Sequence, residues 1–127
     1  MSELRFTVEH EWLRLDQDGL VTVGVTHYAQ DSLGDVVYVQ LPEPGQYAQG
    51  AEVAVLESVK AASNIVMPLD GEVVEVNPQL EGTPELVNQA PQGEGWFFRM
   101  RLADNAVLDD LMSEEAYQRL LTAKADA

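Results

Sequence analysis

The chain has 127 residues, 46% of them hydrophobic, which suits one domain with one core and is short for two. A formal charge of −15 makes nucleic acid and anionic membrane surfaces repelled partners and favours docking onto basic protein surfaces. No cysteine is present, which excludes disulfides and thiolate metal sites, and no stretch approaches the ~20 apolar residues of a membrane span.

Met1-Ser2-Glu3 opens acidic, without the apolar run of a secretory signal or the Arg-rich, acid-poor character of an organellar leader, so a cytoplasmic protein of bacterial type is expected. Arg5 to Val8, Trp12 to Leu15 and Leu20 to Val25 read as strands, the last two joined by the turn Asp16-Gln17-Asp18-Gly19. Thr26 offers an N-cap oxygen to a short helix through Tyr28, Ala29 and Leu33, which Gly34 can terminate. Val36 to Leu41 returns to strand and stops at Pro42-Glu43-Pro44-Gly45, followed by a linker through Gly50.

Ala51 to Leu56 then alternates as a strand, with Val53 and Val55 on one face, while Ile65 to Leu69 and Glu72 to Val76 supply two more β-rich runs on either side of Asp70-Gly71. Lys60 falls at the tip of the hairpin so formed. The only other lysine is Lys124, near the C-terminus, so Lys60 is an isolated, addressable amine. Spacing alone does not separate such a residue from an ordinary solvated turn lysine.

Farther on, Thr83-Pro84-Glu85-Leu86-Val87 predicts a single helical turn, Gln92-Gly93-Glu94-Gly95 a loop, and Trp96 to Leu102 the last strand. In that strand alternation puts Trp96, Phe98, Met100 and Leu102 on one face and Phe97, Arg99 and Arg101 on the other. Two short helices are expected at the end, one from about Asn105 to Met112 and one capped by Ser113, with Leu108, Leu111, Tyr117 and Leu121 as a buried stripe. Many short strands with Gly and Pro punctuation predict a mostly β sandwich or flattened barrel with small helices at its edges and C-terminus. The Val20s and Val36 strands on one side, and the Val53 and Val73 strands on the other, are expected to make two similar sheets.

Glu57-Ser58-Val59-Lys60-Ala61, with Gly71-Glu72-Val73 following, resembles the lipoyl-lysine motif of the H proteins of the glycine cleavage system. The resemblance extends through Glu9-His10-Glu11-Trp12, Val23-Gly24-Val25-Thr26, Tyr28-Ala29-Gln30, Leu33-Gly34-Asp35-Val36-Val37, Leu41-Pro42-Glu43-Pro44-Gly45, Leu86-Val87-Asn88 and Gly93-Glu94-Gly95-Trp96. These blocks span nearly the whole chain in one order. The sequence departs from the family habit at His27 and Asn64, where Asp is more frequent, and at Met67-Pro68-Leu69-Asp70.

The resemblance implies a lipoyl-type hybrid sandwich over residues 1–127 and a carrier rather than an enzyme. Lipoate is then joined as an amide to Lys60, which removes the charge and adds a dithiolane at the end of a flexible arm. Glu57, Ser58, Val59, Ala61 and Gly71 fall in the modification motif, with Glu57 a candidate for recognition and Gly71 for turn geometry. The implied partners are the pyridoxal phosphate glycine decarboxylase, which loads the arm with the aminomethyl group of glycine; the tetrahydrofolate-dependent aminomethyltransferase; dihydrolipoamide dehydrogenase; and lipoyl or octanoyl transferases. A monomer is expected. The family's arm-protecting cleft maps onto Glu11, Tyr28 and Asn64, with Glu11 the carboxylate available to an ammonium group.

Related readings are a biotin carrier, which usually flanks its lysine with methionines, and a lipoyl domain of a 2-oxo acid dehydrogenase, which is shorter. A scaffold that never acquires lipoate is a third. A stand-alone enzyme is disfavoured because His10 and His27, the only histidines, have no grouped metal or triad partners in the sequence. On an extended strand Glu9 and Glu11 share a side that His10 does not, which predicts a solvated histidine.

Overall fold

The computed structural model describes residues 4–7, 10–16, 19–103 and 111–126. Its strands are Leu4–Phe6 (β1), Glu11–Leu15 (β2), Val21–Val25 (β3), Val36–Gln40 (β4), Gly45–Tyr47 (β5), Glu52–Ser58 (β6), Ala62–Val66 (β7), Gly71–Val76 (β8) and Phe98–Leu102 (β9). The helices are His27–Leu33 (α1), Gln79–Gly82 (α2), Leu86–Gln89 (α3) and Glu114–Asp126 (α4). Two open sheets form, one in the order β1-β2-β3-β9-β8-β5 and one in the order β4-β6-β7, with every named pair antiparallel. The fold is thus mostly β, as expected, with small helices around sheets that do not close into a barrel.

The partition of strands differs from the expected one. β3 reaches β8 through β9, whereas β4 pairs with β6, so the Val20s strand shares a sheet with the Val73 strand and the Val36 strand with the Val53 strand. Valine-rich strands carry no label of their sheet; the long-range register decides it. The facing sides bury Leu13, Val23, Val39, Leu56, Ile65, Val73, Phe98 and Met100 in one core. In β6 the buried residues are Ala54 and Leu56, with Val53 and Val55 on the half-covered side.

A second cluster lies on the other face of β1 and β2, where Phe6, Trp12 and Tyr117 are buried and Leu4, Trp96, Leu120 and Leu121 pack around them. Trp12 lies across the ladder from Gly24, so close that a Cβ at Gly24 would come within 2.8 Å of the indole, and its Nε1 donates to the Pro91 carbonyl at 2.8 Å. Both faces of β2 are therefore covered at its start, and Glu11, Trp12 and Leu13 are buried in succession. At its other end Asp16 accepts from the Thr22 hydroxyl and pairs with Arg14 at 2.9 Å and Arg99 at 3.2 Å. Burial pushes its carboxyl up, but Thr22, Arg14 and Arg99 outweigh that effect and hold it below the ordinary carboxylate value.

Local signals placed several elements. Thr26 Oγ1 accepts from Ala29 N at 3.3 Å, and Gly34 ends α1 with φ 78°, a conformation glycine adopts without strain. Ser113 Oγ accepts from Ala116 N at 3.2 Å to start α4. The expected helix from Asn105 lies mostly outside the described residues, as does Leu108; it does not reach Leu111 and Met112, since Met112 instead bridges Phe6. Phe97 is fully buried rather than on the polar face, because it precedes β9 and its N–H donates to the Val23 carbonyl at 2.8 Å.

Candidate functional site

The β6–β7 hairpin turns through Val59, Lys60 and Ala61, and its tip is fixed by short-range bonds. The Ser58 hydroxyl oxygen accepts from the backbone N–H of Lys60 at 3.2 Å and of Ala61 at 3.1 Å, while Ser58 N donates to the Ala61 carbonyl at 2.8 Å. Val59 N donates to the Asp35 carbonyl at 3.0 Å, which ties the tip to the corner between α1 and β4. Ser58 is thus the residue that shapes the turn, as Ser does when its hydroxyl substitutes for a backbone partner.

Lys60 is exposed, and its stem runs over Gly34: a Cβ built there would stand 3.3 Å from Cε and 3.5 Å from Cδ. Gly34 therefore serves twice, ending α1 and leaving a smooth bed for the lysine. Sequence reasoning assigned it only the first role; the Leu33-Gly34-Asp35 block gave no sign that the lysine lies there. Among the described residues no carboxylate forms an ion pair with Lys60. An exposed amine with no salt bridge to break, on a pinned turn, fits covalent attachment of a carboxylic acid as an amide.

The other motif residues have distinct surroundings. Glu57 and Val59 are exposed beside the tip, and Ala61 is exposed within it. Gly71 starts β8 between Tyr47 of β5 and Leu102 of β9. Its φ is not among the positive ones, so the Asp70-Gly71 turn does not demand glycine; instead a Cβ would strike the Arg101 carbonyl oxygen and come within 2.6 Å of Met100 Cε. Close approach of two backbones is the reason for glycine there.

Glu11 is only 1% exposed, far from a solvated strand residue. Its Oε2 accepts from the free-edge N–H of Val66 on β7 at 3.0 Å, and its Oε1 accepts from the Thr7 hydroxyl at 3.4 Å. The carboxylate therefore joins the large sheet to the edge of the small one. It also faces a cavity of about 320 Å³ whose wall includes Phe6, Val66, Met67, Pro68 and Leu111. Tyr28 and Asn64 do not line that cavity. Asn64 is exposed on β7, with Nδ2 donating to Glu52 Oε2, and Tyr28 is 38% exposed on α1.

Tyr28 instead packs on His10, with ring centroids 4.5 Å apart. His10 is half-buried with φ 65°, a left-handed conformation unusual for a residue with a Cβ, so the strand alternation used for it does not apply; Glu9 lies outside the described residues. Nδ1 of His10 is 2.8 Å from the Tyr117 hydroxyl, which is 2.7 Å from Thr26 Oγ1. Burial pushes the Tyr117 phenol above its ordinary value, against the Thr26 hydrogen bond and with a further contribution from Tyr28, so it stays a protonated link. The triplet fastens α4 to the start of β2 and to α1.

Comparison with known proteins agrees with this architecture. A family model described as "Glycine cleavage H-protein" matches residues 4–124. The chain is 68% identical to "Glycine cleavage system H protein 1" of Pseudomonas aeruginosa over 127 residues, with 100% of both chains covered. It is 63% identical to the protein of the same name from Pseudomonas putida, again with 100% of both covered. Among solved structures, a glycine cleavage system H protein from Mycobacterium marinum superposes with a TM-score of 0.85 at 32% identity, covering 94% of this chain and 97% of that one. The hairpin bearing Lys60, the sandwich beneath it and the match across nearly all residues together place the chain in the glycine cleavage H-protein family.

Proposed function

We propose that this chain is a lipoyl carrier of glycine cleavage, a single unit over residues 1–127 that is a protein-bound substrate rather than an enzyme. Lys60 is the attachment residue. Its neutral Nζ attacks an activated lipoyl or octanoyl carboxyl group; the N–C bond forms, the activating group leaves, and the amine gives up a proton. When bound, lipoate supplies a dithiolane that takes up the aminomethyl group of glycine from the decarboxylase, yields it to the aminomethyltransferase, and is restored by dihydrolipoamide dehydrogenase.

The chain's own residues act by position. Ser58 and Asp35 hold the hairpin tip still while the four-carbon lysine stem moves on its Gly34 bed, so the base of the arm is fixed and its end is mobile. A fixed base raises the effective concentration of the arm's end at a docked active site. Glu11 offers a carboxylate at the wall of the cavity beside β7, where a cation would meet a charge-assisted hydrogen bond. Tyr28 packs against His10 away from that wall, and Asn64 lies on the same edge strand as Val66. Cytoplasmic residence as a monomer completes the reading.

The observation that carries this proposal is the exposed, unbridged Lys60 on a pinned turn within Glu57-Ser58-Val59-Lys60-Ala61. Reconstitution tests it. With purified glycine decarboxylase, the lipoylated chain supports glycine-dependent exchange of carbon dioxide and Lys60→Arg does not; equal exchange by the two proteins refutes the assignment.

A further inference from the structure

Between Arg14 and Arg99 the sequence contains no lysine or arginine except Lys60. Every arginine therefore lies on β1, β2, β9 or α4, and there Arg14 pairs with Asp16, Arg99 with Asp16 and Glu75, Arg101 with Glu72 and Arg119 with Glu115. The small sheet, α1 and the corner between them carry exposed Asp31, Asp35, Glu52 and Glu57, and Lys60 is the one cation in this stretch of the chain. The arginines are thus confined to the large sheet and α4, where acidic partners offset most of them, while Lys60 is the one cation of the small sheet's hairpin.

At the Lys60 end of the small sheet this acidic surface has an apolar centre. Val37 is 55% exposed, Tyr38 48% and Val59 68%, three of the largest exposures of bulky hydrophobic side chains among the described residues. Tyr38 sits directly across the ladder from Glu57, so the two project from one side of the sheet, and the bond from Val59 N to the Asp35 carbonyl keeps Val59 beside the start of β4. A register shift between Val36 and Tyr38 turns Val37 outward as well. The buried faces of β4 and β6 do not need these side chains.

We propose that the patch of Val37, Tyr38 and Val59, rimmed by Asp35 and Glu57, is the docking surface for the enzyme that acylates Lys60, and that this enzyme presents an apolar centre within a basic rim. The proposal rests on the carrier reading. Reach singles out this occupant: an enzyme that must touch Nζ of an unmodified lysine has to rest on the surface immediately around the turn, whereas enzymes that take the end of the finished arm do not. Charge supports it as well, because an acidic rim and a basic partner attract and align.

The test uses the unmodified full chain with a purified lipoate–protein ligase, ATP and free lipoate, reading initial rates of acylation against chain concentration. Asp35→Lys/Glu57→Lys is expected to raise KM about tenfold or more with little change in kcat and to flatten the salt dependence of kcat/KM. Tyr38→Ser is expected to raise KM several-fold independently of salt. Glu81→Lys/Glu94→Lys, the same charge change on exposed residues elsewhere, keeps the wild-type KM within twofold. If the two double variants share one KM and Tyr38→Ser matches wild type, the surface is wrong while the carrier reading stands. If the wild-type chain is not acylated at all, the carrier reading falls and the surface with it.

Discussion

Replacing Glu11 probes the contact between the two sheets. In Glu11→Ala the part-buried Val66 N–H loses its charged acceptor at 3.0 Å, and the side chain removed is one that is only 1% exposed. An orphaned buried donor costs about 1–3 kcal/mol, and the void left by the side chain adds to it, so a loss near 2 kcal/mol is expected. For a chain of this length that corresponds to a fall in Tm of about 6–10 °C. Glu11→Gln keeps a carbonyl oxygen for Val66 and gives up only the charge assistance, so its loss should be about half as large. Thermal unfolding of the three proteins, with amide hydrogen exchange at Val66, measures both. Exchange at Val66 should accelerate roughly 30-fold in Glu11→Ala if local opening follows the same energy. Equal stability of the Ala and Gln variants, or unchanged Val66 exchange in both, would refute the bridging role. In the lipoylated and loaded proteins, faster ammonia release from Glu11→Ala than from wild type, without the aminomethyltransferase, is the expected mark of the cavity's protective role.

Three further predictions follow from particular contacts. Gly34→Val places a side chain where Lys60 Cε and Cδ lie and forces φ 78° on a β-branched residue; it should lower acylation several-fold and cost ~1–2 kcal/mol in chemical denaturation, and an unchanged acylation rate would separate the bed from the reaction. Gly71→Ala drives a methyl into the Arg101 carbonyl between two paired strands and should destabilise by about 2 kcal/mol or more, whereas a neutral result in urea unfolding would return Gly71 to a turn role. Because the Asp16 carboxyl has its folded pKa held below the unfolded value near 4, its contribution is complete above about pH 4 and disappears as pH falls through the folded value; Asp16→Asn should be less stable than wild type at pH 6, with the gap closing in acid, as followed by Tm against pH.

What could be read in advance was what short-range chemistry dictates. Thr26 and Gly34 bound α1 because a hydroxyl cap and a left-handed glycine act within one turn, and Lys60 sits on a hairpin tip because the flanking runs differ in period from the residues between them. The length of β5 was not legible: Gly45 to Tyr47 is too short to signal a strand and exists because β8 pairs with it. His10 was misjudged for a related reason. Alternation assumes one wet face, but α4 covers the outer face of β2, and the left-handed backbone at His10 breaks the period just before it. The cluster of Val37, Tyr38 and Val59 was likewise hidden, since β-propensity makes such residues look like core until the bulge after Val36 is seen.

The central claim is that Lys60 is the attachment site of a lipoyl arm, and peptide mass analysis tests it most directly. Wild type and Lys60→Arg are produced in a lipoate-competent host and digested. One lipoyl group on the peptide containing Lys60, none elsewhere, and none on a normally folded Lys60→Arg are the predicted results. An unmodified Lys60 peptide from a host that lipoylates its other carriers, or a lipoyl group that persists in Lys60→Arg, would contradict the account.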